Sequence, residues 1–412
     1  MSLKWLILPF FSMSMMFIGA TPPFKCADGF DANATYASLP AAAQRCHPPN
    51  ASAACRRWVF DRSVYESTVV TEWALVCGRK PLLSLLQSLL MLGGLLGAVA
   101  AGQLVDRFGR RPVFLPAMLL IVLMAFTSAL ATSYALFAAC RLLSGLAMAL
   151  MIGSQYVLVT ELGGIDQRAR YSAFTLLPFP VGTALMAALS YAVRNRRLLQ
   201  LVYAVPCLAL LPNIWLMPES PRWLLMRGRP TEAYDLLQLI RTPRMRRNTL
   251  VSAFVWFVVA GAYFGIAFDM TQLSRQPHLA GVLLGLLNLP CILYFPIIDR
   301  LGRRGPTAAC LFLSAAAMLV IFALSVSMAF NILFAYSPEY MPTCARAVGF
   351  GVCQVALRLG ATVSPFVVDL VSELQASAPS AVFGAATLLA GLATLLLPET
   401  HGAGLPDSVP GS

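Results

Sequence analysis

The sequence predicts an all-α polytopic membrane protein built as a duplicated helical bundle. Three observations lead there. Only 12% of the 412 residues are charged while 58% belong to the AVILMFWYC set; a soluble chain carries roughly 25% charged residues to cover its surface. Apolar runs of about twenty residues recur along the whole length, the length a helix needs to cross a bilayer, where only helices and closed barrels satisfy their own backbone. Finally, three sequence markers appear twice in the same order.

The first element, residues 5–20, is a short apolar run behind Lys4. Its length fits either a curtailed first span or a signal peptide ending at Ala20. Both readings put the following segment outside. That segment, 21–80, is polar and holds the sequons Asn33-Ala-Thr35 and Asn50-Ala-Ser52 together with Cys26, Cys46, Cys55 and Cys77. Acceptor asparagines beside clustered cysteines fit an exposed, oxidising location, so Asn33 and Asn50 are candidate glycosylation sites and the four cysteines candidate disulfides. Four cysteines allow three pairings, and the sequence does not choose among them. The other six cysteines lie in or beside apolar runs, as small filler.

Ten further runs follow, near 82–103, 113–133, 136–158, 171–193, 198–217, 249–268, 279–298, 306–336, 347–368 and 380–397. The net charge of +12 does not indicate nucleic acid, because the arginines are not gathered on one soluble face. Four groups alternate with the runs so as to share one side, as expected of cytoplasmic loops. They are Arg107, Arg110 and Arg111; Arg168 and Arg170; the segment from Arg222 to Arg247; and Arg300, Arg303 and Arg304. Arg194, Arg196 and Arg197 fall on the opposite side, against that rule.

Asp106-Arg-Phe-Gly-Arg-Arg111 recurs as Asp299-Arg-Leu-Gly-Arg-Arg304, about 193 residues later. Glu161 and Arg168 recur as Glu339 and Arg346, and Pro218-Glu219-Ser220 as Pro398-Glu399-Thr400, each about 180 later. The spacing divides the chain into an N-terminal half (1–217), a cytoplasmic central loop (218–248), a C-terminal half (249–398) and a tail (399–412). The halves differ in one place. About 50 residues separate Arg111 from Glu161, but only about 35 separate Arg304 from Glu339, too few for two full spans. Either two short helices or one long tilted helix occupies that interval, for a total of eleven or twelve spans; one helix would invert everything after Glu339.

The ordered motifs resemble the major facilitator superfamily, specifically its organic ion transporter branch, and nearer to the anion-type members. They are Gly102-Gln-Leu-Val-Asp106 running on to Arg111, Arg141-Leu-Leu-Ser-Gly145, Pro218-Glu-Ser-Pro-Arg222-Trp-Leu-Leu225, Tyr336-Ser-Pro-Glu339-Tyr-Met-Pro342 and Leu397-Pro-Glu-Thr400. Gly19 to Cys26 and Trp73 to Cys77 are similar to that branch's outer loop. The resemblance implies two six-helix halves that move small organic ions by alternating access, with the ninth and tenth spans compressed here.

The residues themselves suggest roles. In the first repeated loop, Gly109 permits a tight reversal and Asp106 can sit at the start of the next helix, where its charge suits the dipole. Arg107, Arg110 and Arg111 can pair with Glu161 and Glu219; Arg168 and Arg222 belong to the same set, and Asp299, Arg303, Arg304, Glu339 and Arg346 to its counterpart. The resemblance makes such pairs a cytoplasmic gate; otherwise the arginines anchor topology at the headgroups. Arg358 lies in the middle of the run 347–368, where a cation costs roughly 2.5 kcal/mol or more without a partner or cavity. Members of the branch that carry anions have an arginine at this motif position, so Arg358 is the expected substrate contact. A bridge to Asp369 is the structural alternative, although three turns place that acid about 16 Å away. Ile292 stands where those members often have a lysine. Trp256, Tyr263 and Phe264 fall in the seventh run and can stack on an aromatic substrate or face lipid. Arg141 can couple movement to ion binding or snorkel toward headgroups. Thr231 to Ile240 reads as a short amphipathic helix capped by Thr231.

Enzyme chemistry has no support in the sequence. There is no Gly-rich phosphate loop and no His-Glu-x-x-His, and His47, His278 and His401 are scattered in loops and tail. No cofactor or metal is expected, and transport would run on a gradient or by exchange. The expectation is a multi-pass carrier of the plasma membrane for small organic ions, with anions favoured. Its partners would be substrate, the bilayer and a coupling or exchange ion. The alternative, motivated by the shortened interval, is a non-transporting receptor or partner subunit.

Overall fold

The computed structural model describes residues 3–28, 35–38, 46, 55–162, 178–212, 214, 243–273, 276–288, 302–316, 319–341, 346–372 and 378–400. Residues 3–18 form three short helices, α1 (Leu3–Ile7), α2 (Pro9–Ser12) and α3 (Met15–Ile18). Pro9 starts the second of them, where its missing N–H costs nothing. Nearly every side chain from Trp5 to Ile18 is buried in the main core. The segment is therefore packed into the bundle.

Outside the bundle, strands β1 (Phe24–Cys26) and β2 (Trp58–Phe60) pair antiparallel, Phe24 opposite Phe60. The disulfides Cys26–Cys55 and Cys46–Cys77 select one of the three open pairings. Asp28 accepts from the backbone N–H groups of Arg56 (2.5 Å) and Arg57 (3.1 Å). Burial raises the Tyr65 hydroxyl well above its usual range. A capping box between Thr68 and Thr71 starts the short helix α4 (Val69–Trp73). Asn33 and Asn50 lie outside the described residues.

Helices α5 (Lys80–Phe108), α6 (Arg110–Leu130), α7 (Tyr134–Leu162), α8 (Pro178–Ala192) and α9 (Arg196–Ala204) complete the first half. A 3-10 turn (Val205–Leu210) continues α9. Glycine sets the closest approach: a Cβ at Gly93 or Gly145 would fall 1.9 Å from a carbonyl of the facing helix, on Leu142 or Leu90. The arginines that break the positive-inside pattern are also accounted for. Arg196 is buried, bridges Glu72 at 2.9 Å and lies over the Trp73 ring, while Arg197 meets the same carboxylate at 2.7 Å. An acid in the outer segment thus holds both.

The second half comprises α10 (Pro243–Leu273), α11 (Pro277–Leu287), α12 (Arg304–Ala316), α13 (Leu319–Glu339), α14 (Arg346–Ser372) and α15 (Ala378–Thr394). Helix α10 begins at Pro243, within the stretch 218–248 read as the central loop, and its apolar part starts at Arg246; the stretch Thr231 to Ile240 lies outside the described residues. His278, expected in a loop, opens α11. The compressed interval holds two helices, not one long one. Arg303, beside the start of α12, bridges Glu339 at the end of α13 at 3.0 Å, so the chain returns to the face it left. At 13 residues, α12 is about 20 Å long, and the shortening falls on it. Everything after Glu339 keeps its orientation.

Candidate functional site

Arg358, on α14, is buried against α5. Its Nη1 lies 2.9 Å from where a Cβ on Gly94 would stand, so the guanidinium packs directly against the α5 backbone at that glycine. Its Nε has no hydrogen-bond partner among the described residues. The expected structural alternative, a bridge to Asp369, is not what forms. Asp369 accepts a hydrogen bond from Ser84 and bridges Lys80 at 3.6 Å, both on α5. Between these levels Ser88 donates to the Thr362 carbonyl at 2.8 Å. Lys80, Ser84 and Ser88 recur every four residues on one face of α5, and they seam it to α14 from Arg358 outward.

A second seam closes the other flank. His278 stacks on Phe17 at 5.5 Å, lies 2.8 Å from the Ser190 hydroxyl, and is flanked by Tyr65 at 5.3 Å. A Cβ on Gly285 would meet Ala184 at 2.6 Å, which brings α8 and α11 into close contact. The halves are thus drawn together on the face that bears the disulfide-linked segment.

The seventh-run aromatics are all buried. Trp256 donates to the Ser337 hydroxyl at 2.7 Å and meets Phe334 and Phe330 edge-on at 4.8 and 5.5 Å. Tyr263 stacks on Phe330 at 5.3 Å and touches Phe264 edge-on at 5.5 Å. Trp5 of α1 joins the cluster at Phe334, 6.4 Å away. Sequence reasoning missed Phe330, Phe334 and Ser337, although their i, i+4, i+7 spacing marks one helix face. Helices α10 and α14 cross where a Cβ on Gly360 would strike the Phe257 carbonyl. Trp256 and Arg358 lie within one turn of that crossing on their respective helices.

The two repeated loops turn alike. Gly109 and Gly302 have φ of 97° and 82°, a region that side chains disfavour. Asp106 lies in the last turn of α5 rather than at the start of α6, and its side chain is outside the described residues. After the second turn, the Glu399 carboxylate accepts the N–H groups of Arg303 (2.9 Å) and Arg304 (3.1 Å), capping α12 from the far end of the chain. Thr400 donates to Glu339 at 2.7 Å, and Tyr336 donates to the Pro398 carbonyl. Arg304 donates to the Leu395 carbonyl, and Arg111, its counterpart, donates to the Ile214 carbonyl at 3.0 Å. The two acceptors sit about 181 residues apart, so the sequence repeat is also a repeat of contacts. Arg110 is buried and reaches the Val105 carbonyl at 3.4 Å; Arg107 is exposed beside Phe108. The side chains of Glu161 and Arg346, and the whole of Arg168, Glu219, Arg222, Asp299 and Ile292, lie outside the described residues.

Arg141 does not snorkel. It is buried, donating to the Phe11 carbonyl and Ser14 hydroxyl (both 3.1 Å) and to Gln87 (2.9 Å).

The family model described as sugar (and other) transporter matches residues 26–288, well over half the chain. The chain belongs to that family. Within it the chain is similar to the solute carrier family 22 proteins. It is 34% identical to member 15 of Xenopus tropicalis, over 95% of this chain and 83% of that protein. It is 32% identical to member 6 of Bos taurus, over 85% and 74%. An organic cation transporter protein of Drosophila melanogaster is 27% identical over 98% and 89%. The fold agrees with solved transporters of the major facilitator superfamily. The human organic anion transporter MFSD10 aligns with TM-score 0.62 at 19% identity, covering 79% of this chain and 87% of that one. The inward open xylose transporter XylE from E. coli aligns with TM-score 0.62 at 17% identity, covering 83% and 91%. The protein is a multi-pass membrane transporter of the organic ion branch, and not an enzyme.

Proposed function

We propose that the protein carries small organic anions across the plasma membrane by alternating access, with Arg358 and the Trp256, Tyr263 and Phe264 cluster contacting substrate. The observation that carries the reading is the buried Arg358 guanidinium at the seam between the halves, its Nε unpartnered among the described residues while the nearest acid on its helix, Asp369, is engaged by Lys80 and Ser84. A buried cation without a fixed counter-charge favours an anionic ligand. The relatives' names include both cation and anion transporters, so the charge at Arg358 is the discriminating feature here. The aromatic cluster on the helix that crosses α14 suits a substrate with a flat or amphipathic body.

Alternating access is supported by the asymmetry of the contacts. The seams from Arg358 to Lys80 and around His278 join the two halves at the outer face, whereas Arg303, Glu339 and Glu399 at the inner face bind one another within the second half. The candidate glycosylation sites Asn33 and Asn50 and the two disulfides fit a surface-exposed outer segment. Uptake runs on an ion gradient or by exchange. The test is saturable uptake of a labelled aromatic carboxylate and of a labelled organic cation in cells displaying the protein. Carboxylate uptake lost in Arg358→Ala supports the reading, and uptake of the cation alone contradicts it. The paired helices α12 and α13 favour the carrier over a non-transporting role, because the chain after Glu339 keeps the orientation a carrier needs.

A further inference from the structure

A second buried arginine lacks a counter-charge among the described residues, and it lies among helices of the first half. Arg141 is 5% exposed. Among the described residues its Nη1 and Nη2 donate only to neutral acceptors, the Phe11 carbonyl, the Ser14 hydroxyl and the Gln87 amide oxygen. Its Nε has no partner among the described residues. Nor can a carboxylate reach it from the surrounding helices, because residues 3–18, 80–105, 110–155 and 178–216 contain no Asp or Glu. An isolated charge in such a place carries a large desolvation penalty.

Beside the guanidinium is a cavity of about 30 Å³, walled by α2, α3, α6, α7 and α9. Ser14, Ser128, Ser144 and Gln200 supply its polar lining, with Phe10, Phe11 and Tyr203 among its apolar walls. The Gln200 amide oxygen is also without a partner among the described residues, and a half-turn of that amide presents its NH2 to the cavity instead. A water needs about 10–15 Å³ of such space, so the cavity admits one or two small particles and no organic ion. Hydroxyls, an amide NH2 and a guanidinium around that volume make an anion cradle.

We propose that Arg141 holds a single small inorganic anion of the halide class in this cavity, inside the first half and separate from the substrate path. The ion neutralises the buried guanidinium and ties the broken first span to α6, α7 and α9. The site does not depend on which organic ion is carried.

The experiment is thermal unfolding of the full chain, purified in nanodiscs, in sodium chloride against sodium gluconate at equal ionic strength, gluconate being too large for the cavity. Chloride is expected to raise the midpoint saturably in the wild type and equally in Arg358→Ala. Gln200→Glu supplies a carboxylate within the cavity and is expected to give the same midpoint in both salts. Ser144→Val narrows the cavity without adding charge and is expected to raise the half-saturating chloride concentration about tenfold, the equivalent of one charge-assisted hydrogen bond. Identical wild-type midpoints in the two salts would overturn the proposal and leave water as the occupant. So would a chloride effect that vanishes in Arg358→Ala but survives in Gln200→Glu and Ser144→Val, which would assign the ion to the central seam.

Discussion

Lys80 and Asp369 meet at 3.6 Å where the outer ends of α5 and α14 come together, and Ser84, one turn further in, donates to the same carboxylate. Two helices from different halves are thereby joined at a single acid. The pair is partly exposed, at 39% and 23% for the two side chains, so its worth is at most about 1 kcal/mol. For a gate that is enough to matter, since 1 kcal/mol changes the ratio of two states about fivefold. Asp369→Asn should therefore raise the accessibility of outer-side cysteine probes placed along α5. The double exchange Lys80→Asp with Asp369→Lys should return it toward the wild-type level, and no response to Asp369→Asn would remove the pair from the outer closure.

At the opposite face Glu399 caps α12 through the N–H groups of Arg303 and Arg304. Glu399→Gln keeps the shape but loses the charge, and about 1 kcal/mol of stability should go with it. Gly302→Ala should cost more. It forces a side chain into φ of 82° and sets a Cβ 2.8 Å from the Glu399 carboxyl, with roughly 1–2 kcal/mol from the backbone alone. Thermal unfolding of the purified variants checks the order, which the reverse ranking would contradict.

The disulfide pattern predicts a coupling pattern. Each bond closes about thirty residues and contributes about 2–4 kcal/mol to the outer segment. Cys26→Ser with Cys55→Ser should be no worse than either single change, whereas Cys26→Ser with Cys46→Ser should be worse than both. Surface delivery measured for the three single and two double variants distinguishes this pairing from the other two.

Glu72 holds Arg196 and Arg197 together. Glu72→Gln leaves the buried Arg196 guanidinium uncompensated and should destabilise by on the order of 2 kcal/mol, a value reduced from the fully buried case because Glu72 is 22% exposed. Arg196→Met removes the charge with the need for its partner and should be milder. Equal losses would mean that packing on Trp73, not charge, is what Arg196 provides.

Much of this architecture is legible in the sequence, because membrane spans and repeats are one-dimensional signals. The recurrence of Asp106 to Arg111 at Asp299 to Arg304 locates the two inner turns, and Gly109 and Gly302 take up the positive φ that the turns need. The pairing of Arg303 with Glu339 follows from motif order. Other features are not local. Whether 35 residues hold one helix or two depends on how short α12 can be when buried by neighbours, which periodicity does not encode. Three turns of helix already set Asp369 too far from Arg358, but that its partners are Lys80 and Ser84 of the facing helix is not encoded locally. The Glu72 link to Arg196 spans more than 120 residues and has no sequence signature beyond two misplaced charges. Arg141 is recognisable as a buried cation, but the cavity beside it is a product of packing.

The central claim is that the Arg358 charge selects an organic anion. Its most direct test is uptake of a labelled aromatic carboxylate per surface molecule, comparing the wild type with Arg358→Ala and Arg358→Lys. A buried charge-assisted contact is worth about 1.5–3 kcal/mol, so Arg358→Ala should lose about ten- to a hundredfold in uptake at low substrate concentration, with Arg358→Lys retaining part of it. Equal uptake per surface molecule in the wild type and Arg358→Ala would contradict the account and return Arg358 to a structural role.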